Sequence, residues 1–334
     1  MSEADLITSC SDPLWRQLPG EDRTCGGVRF HLRRDRPTAD LCVVYHDVEA
    51  PCAVACRSGG LVLVTVEPAI LKSFYPQAFL DQFDAVLTFR RDLKHPGVHH
   101  APPMIPWWVG VSGGHGVERT VNLTYDDLAQ PRDPAEKTHA CSVICSSLAY
   151  TDSHRRRLAF VEALCVRQPA IDRFGFGHRP IDDKWLALRD YRVHLGIENS
   201  SYPDYWTEKA ADAFLSECFL VYWGCPNLGD YFPEEAFARI DLDDIDSAVA
   251  LIEQASDPGF YAERRPAILE AKRRVLEQHN LFAALGERLP QLPLGEPVTR
   301  RVKPQDWYRG SLRKRLSKRL KYRRLAGSRS AAPS

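Results

Sequence analysis

Between residues 191 and 233 the chain reads YRVHLGIENSSYPDYWTEKAADAFLSECFLVYWGCPNLGDYFP. Within this stretch Glu198, Asn199, Ser200, Ser201, Asp204, Tyr205, Thr207, Glu208 and Lys209 fall close together. An apolar run at 193–197 predicts a strand that empties into a polar loop. Thr207 is then a natural N-cap for an Ala-rich helix beginning at Glu208. A strand, a polar loop and a helix N-terminus with a lysine in its first turn collect free N–H groups and positive charge, which suits a phosphate-bearing anion. Open α/β sheets also bind ligands beyond the carboxyl ends of their strands. The same residues would equally serve an ordinary strand–helix unit whose Thr-Glu-Lys merely caps and solvates its helix. The next strand, at 219–223, ends in Gly224-Cys225-Pro226-Asn227, a tight turn.

The elements that must position these residues are short apolar runs at 41–45, 61–66, 85–89, 141–145, 193–197 and 219–223. They are continuous rather than alternating, as expected of strands covered on both faces of parallel sheets. Helical patterns lie between or after them at 69–83, 155–166, 208–216, 245–254 and 258–289. Strand–helix alternation predicts an α/β protein. The stretch 94–137 is rich in Pro, Gly and His, and its end, Ala129-Gln-Pro-Arg-Asp-Pro-Ala, has the composition of a linker. That predicts a boundary near 138 and two α/β halves of ordinary domain size, 1–138 and 139–290, followed by a tail at 291–334.

Hydrophobic residues make up 44% of the 334 residues and charged residues 26%, which excludes disorder along the whole length. The net charge is zero, but residues 300–329 hold 13 Lys/Arg against the single acid Asp306. The remainder is therefore acidic by 12 charges, and the basic end calls for an anionic partner. The N-terminus has early acids and no apolar h-region, so no secretory signal is read there. No apolar run approaches the ~20 residues of a membrane span. The ten cysteines are scattered and lack paired zinc-finger spacing, which predicts buried free thiols in a reducing cytoplasm and no metal.

The 191–233 block resembles the donor-binding block of the α1,3/4-fucosyltransferases, glycosyltransferase family 10. The resemblance rests on Glu198-Asn199-Ser200, Asp204-Tyr205, Thr207-Glu208-Lys209, Tyr222-Trp223-Gly224 and Tyr231-Phe232-Pro233 in order and at the family's gaps. Residues 141–177 resemble the start of that family's donor domain, through Ser146, the helix around Arg157 and Asp172-Arg-Phe-Gly175. In the N-terminal half, Leu63-Val-Thr-Val-Glu67-Pro68 and the segment ending Phe89-Arg-Arg-Asp92 are similar to two further family stretches. The likeness covers about residues 60–260. Gly196 and Glu217-Cys218-Phe219-Leu220 depart from it, as does Ala69 after Pro68.

The resemblance implies a GT-B fold: two Rossmann-like domains with the active site in the cleft between them. It implies an inverting transfer of fucose from GDP-fucose to a hydroxyl of a surface-glycan, lipopolysaccharide-like acceptor, in an α1,3-type linkage. Glu67 would be the catalytic base, and Arg157 and Lys209 would hold the diphosphate, with Arg155 or Arg156 as alternative registers of the arginine. Glu208 would bind the ribose hydroxyls, while Asn199 and Tyr205 would line the nucleotide pocket, Tyr205 alternatively packing. Glu198 would be a further acid in the cleft, near the fucosyl group. No cofactor is implied; a divalent metal would be at most stimulatory. The alternatives are another sugar-nucleotide donor on the same fold, or a catalytically inactive glycan- or membrane-binding relative.

Tyr308, Leu312, Leu316 and Leu320 recur every four residues amid Lys and Arg. Residues 304–334 thus read either as a basic amphipathic helix on an anionic membrane or as an unstructured tail. With few aromatics there, nucleic acid is not expected as a partner. The resulting expectation is a cytoplasmic enzyme, peripheral on the inner face of the membrane.

Overall fold

The computed structural model describes residues 1–8, 14–32, 39–68, 75–104, 106–114, 117–147 and 152–308. The chain forms two compact units. The first takes in 1–11, 23–103 and 285–334, and the second 12–22 and 104–284. Both are mixed α/β units built on largely parallel sheets. The division differs from the one read from the sequence, because the Pro/Gly-rich stretch is not a linker. Residues 107–114 are fastened to the second unit: Asp212 accepts the Trp108 and Val109 N–H groups, and Asp183 accepts that of Gly110.

In the first unit the strands are β1 (Ser2–Thr8), β2 (Thr24–Cys25), β3 (Val28–His31), β4 (Leu41–Tyr45), β5 (Cys52–Arg57), β6 (Leu61–Val64), β7 (Ala85–Thr88) and β8 (Val98–His100). A short helix α1 spans Gln77–Leu80. Seven of these strands form one sheet in the order β2-β3-β1-β4-β6-β7-β8, parallel except for the β2–β3 pair. Of the helix expected at 69–83, residues 69–74 lie outside the described residues.

The second unit contains β9 (Val111–Gly114), β10 (Val117–Val121), α2 (Tyr125–Ala129), β11 (His139–Ile144), α3 (Asp152–Arg167), β12 (Ile171–Phe174), β13 (Tyr191–Ile197), α4 (Glu208–Leu215), β14 (Phe219–Trp223), β15 (Phe237–Arg239), α5 (Ile245–Ala255) and α6 (Pro258–Arg274). Strands β11–β15 make an all-parallel sheet in the order β12-β11-β13-β14-β15. Its central strands are buried on both faces, which is why they read as unbroken apolar runs.

The single helix expected at 258–289 is broken. After α6 comes a π-helical turn at Val275–His279, then Asn280, whose Oδ1 accepts the N–H groups of Phe282 and Ala283 and starts α7 (Leu281–Arg288). A side-chain cap in mid-pattern ends one helix and begins another.

The part of the expected tail that is described is also ordered. Strand β16 (Pro297–Val302) pairs antiparallel with β5. Gln305 is buried, and its N–H reaches the Asp47 carboxylate. Residues 309–334 lie outside the described residues. No helix among the described residues is long and apolar enough to cross a membrane. The cysteines described are free thiols, and six of them, including Cys141, Cys145 and Cys218, are buried.

Candidate functional site

Strand β11 lies between β12 and β13, so the chain leaves β11 to one side and returns on the other. Such a switch point leaves a crevice at the strands' carboxyl ends. A cavity of about 340 Å³ opens there, lined by Ile144 and Ser146 from the end of β11 and by residues 194–197 and Asn199 from β13 and its loop. The other walls come from His154 and Arg157 on α3, from Lys184, and from Glu208, Lys209 and Asp212 on α4.

Helix α4 begins as the sequence suggested. The Thr207 hydroxyl accepts the Lys209 N–H at 3.3 Å, placing Glu208 and Lys209 in the first turn. Beneath this cap sits Glu198, with no solvent exposure. Its carboxylate accepts from the Thr207 N–H (2.9 Å), the Thr207 hydroxyl (2.7 Å) and the Tyr222 hydroxyl (3.3 Å). It also pairs with the Lys209 ammonium at 3.3 Å. Glu198 is therefore not one of the lining residues but the peg that fixes the loop and the helix start. Gly224 lets it fit: a Cβ there would lie 2.4 Å from Glu198 Cγ.

Tyr205 is likewise buried and absent from the cavity wall, so it packs. Its neighbour Asp204 adopts the left-handed backbone region and is tied to Asn227 by two 2.8 Å hydrogen bonds.

The three adjacent arginines separate cleanly. Arg155 pairs with Asp152, Arg156 with Asp243, and only Arg157 reaches the cavity. Arg157 Nη1 donates to Asn199 Oδ1 at 2.5 Å, while its buried Nε has no hydrogen-bond partner among the described residues.

Lys184 and Asp212 went unmarked in the sequence. Glu208 and Asp212 are four apart on α4 and so share a face, a spacing that could have revealed the second acid. Lys184 Nζ stands 2.8 Å from Asp212 Oδ2 and 3.6 Å from Glu208 Oε1, and Lys209 Nζ lies 3.3 Å from the same Glu208 oxygen. Burial pushes the Glu208 carboxyl up, but Lys209 and Lys184 outweigh it and hold it down at about 2. Asp212 moves up, because its burial exceeds the opposing pull of Lys184. Burial, with Lys184 and Lys137 adding to it, pulls His194 down to about 3, so the ring bonded to Ser142 at 2.9 Å is neutral. The wall thus presents three cations (Arg157, Lys184, Lys209) against two carboxylates.

In the first unit, Glu67 lies just past the end of β6 and is half-buried. The Tyr75 hydroxyl accepts the Val66 N–H at 3.1 Å and stands 3.1 Å from His46 Nδ1. Arg90 lies over the Tyr75 ring and is paired with Asp92. His46, Tyr75 and Arg90 therefore gather with the Glu67 backbone at the carboxyl ends of β4, β6 and β7, a grouping that no sequence spacing announces. His99 and His100 are exposed at the edge strand β8.

Residues 134–256 match the family model of glycosyltransferase family 10 (fucosyltransferase), C-terminal part. Among curated proteins the chain is similar to a fucosyltransferase-like protein of Arabidopsis thaliana, 29% identical over 41% of this chain and 27% of that protein. It is also similar to an alpha-(1,3)-fucosyltransferase of Helicobacter pylori, 31% identical over 29% of this chain and 21% of that protein. The matched stretch thus spans about a quarter of the length of these relatives. Similar solved structures include an α1,3-fucosyltransferase with GDP-fucose, at 16% identity and a TM-score of 0.45 over 84% of this chain and 92% of that one. They also include TarM, at 11% identity and a TM-score of 0.37 over 64% of this chain and 43% of that one. The matched segment contains β11 through α5 and every wall of the cavity, so the likeness to glycosyltransferase family 10 falls on the residues that form the site.

Proposed function

We propose that the chain is an inverting glycosyltransferase that moves fucose from GDP-fucose to a hydroxyl of a surface-glycan acceptor, lipopolysaccharide-like, in an α1,3-type linkage. One observation carries the donor half: a cavity at a sheet switch point whose wall combines Arg157 and Lys209 with the N-terminus of α4, next to an ionised Glu208. The unpartnered Arg157 Nε and the Lys209 ammonium suit diphosphate oxygens, the arginine gripping two at once. The two-oxygen acceptor Glu208 suits a ribose diol, and Asn199 orients Arg157.

In the reaction the acceptor oxygen forms its bond to the sugar carbon as the bond from that carbon to the diphosphate oxygen breaks. The acceptor proton goes to Glu67, and GDP leaves with its developing charge met by Arg157 and Lys209. This chemistry runs on protein cations and requires no cofactor. Residues 309–334 contain ten Lys/Arg and no acid. They hold the enzyme on the anionic inner face of the cytoplasmic membrane, close to a lipid-linked acceptor.

The test is calorimetric binding and donor hydrolysis across GDP-fucose, GDP-mannose and UDP-sugars. GDP-fucose should bind and turn over best. Preference for a UDP-sugar would replace the donor assignment, and binding without turnover on any acceptor would favour an inactive glycan-binding relative.

A further inference from the structure

We propose that Lys184 is a positioning residue of the donor pocket: anchored on Asp212, its ammonium holds the Glu208 carboxylate toward the ribose and ties it to the 108–110 segment. The inference rests on the donor reading above and adds a residue to it.

Two ammonium groups meet at Glu208 Oε1, Lys209 at 3.3 Å and Lys184 at 3.6 Å, and each is shared with a second, deeply buried acid. Lys209 is shared with Glu198 and Lys184 with Asp212, both of which are almost wholly enclosed. Lys184 itself is firmly mounted. It opens a 3-10 helix, Lys184–Ala187, whose N-cap Asp183 accepts the N–H groups of Trp185 (2.8 Å) and Gly110 (2.9 Å). Asp212 in turn accepts the N–H groups of Trp108 (2.7 Å) and Val109 (3.1 Å). Neighbouring acids, Asp183 and Asp212, thus grip three successive backbone amides on either side of Lys184.

The consequence is geometric. Without Lys184, Glu208 has one cation left, Lys209, and closes onto it. That movement withdraws the carboxylate from the ribose and takes up the ammonium assigned to the diphosphate. The charged groups that share the wall with Glu208 are Lys209 and Asp212 from its own helix, Lys184 from the 3-10 helix and Arg157 from α3, with Glu198 beneath the cap reaching it through Lys209. His154 and His194 complete the wall. Burial depresses both imidazoles, so neither adds charge at neutral pH. Losing Lys184 removes one of the interactions that hold the Glu208 carboxyl low, while Lys209 and Thr207 remain.

The experiment compares the full chain with Lys184→Met and Lys184→Arg, measuring Kd for GDP and for 2′,3′-dideoxy-GDP. The wild type should favour GDP over the dideoxy analogue. Lys184→Met should weaken GDP binding at least tenfold and bring the ratio of the two Kd values close to one. Lys184→Arg should restore most of the preference. Because Lys184→Met leaves Asp212 unpaired, Lys184→Met/Asp212→Asn is run beside it. Its amide oxygen still accepts the Trp108 and Val109 N–H groups, and it carries the test if the single variant unfolds. A wild-type Kd ratio retained in either variant overturns the inference. Failure of the wild type to bind GDP at all refutes the donor reading instead, so the two failures are distinguishable.

Discussion

Lys209 is asked to do two things at once, and the structure separates them. It is the ammonium available to a diphosphate, and it is also the only cation within 4 Å of the buried Glu198 among the described residues. Removing one partner of a fully buried pair costs about 3–5 kcal/mol. Here the Lys209 side chain keeps 22% of its exposure, and Glu198 retains the Thr207 N–H, the Thr207 hydroxyl and the Tyr222 hydroxyl. We therefore expect Lys209→Met to destabilise by about 2 kcal/mol, a fall of roughly 4–8 °C in Tm for a unit of this size. Neutralising the stranded acid in the double variant Lys209→Met/Glu198→Gln should recover about half of that loss or more, a coupling typical of residues in contact. GDP affinity should behave differently. Loss of a charge-assisted contact worth about 1.5–3 kcal/mol weakens binding roughly 10- to 100-fold, and the second substitution should not restore it. Differential scanning calorimetry and isothermal titration with GDP read the two effects separately. If the double variant regains GDP affinity, Lys209 acts only by pinning Glu198 and the diphosphate assignment is wrong. If neither Tm nor Kd moves, both assignments fail.

Two further outcomes follow from the same geometry. Tyr75→Phe removes the acceptor of the Val66 N–H beside Glu67; it should lower kcat about tenfold, at a stability cost of ~1–2 kcal/mol, with the Kd for GDP unchanged. An unchanged kcat would separate Tyr75 from the placement of the base. Ending the chain at residue 309 should shift the protein from membrane to soluble fractions with donor hydrolysis intact, since it spares the Gln305–Asp47 contact; a truncated protein that still sediments with membranes refutes the anchor.

The strands that were legible in the sequence are those enclosed on both faces. Residues 41–45 and 219–223 form strands over the span expected, because every position there had to be apolar. Strand β1 carries Glu3 and Asp5 and so lacks a continuous apolar run, yet Asp5 is buried and the Glu3 N–H binds the Asp40 carboxylate. Strand β12, Ile-Asp-Arg-Phe, is an edge strand whose charged centre reaches solvent and so lacks the apolar signature. The cavity residues at the start of α4 were legible because a cap, a first-turn lysine and a strand end are local signals. Tyr205 takes the packing alternative, and the burial of Glu198 beneath the cap had no local signal, since it depends on Gly224 and Tyr222 from the next strand. Lys184 had no local signal at all. Its role comes from contacts with α4, and no periodicity encodes those.

Strand β16 has a consequence for how the molecule is made. The ribbon it forms with β5 joins residues 297–302 to residues 52–57. A ribosome releasing this chain completes the second unit at about residue 284 while the first still lacks a strand. Domains generally mature in order of synthesis; here the later-begun unit is the first to have all of its chain. The earlier strands must wait, with the outer edge of β5 unpaired, until the C-terminal residues emerge. Slow maturation of the first unit, and its sensitivity to C-terminal nonsense mutations that spare every residue of the cavity wall, are built into the order of the chain.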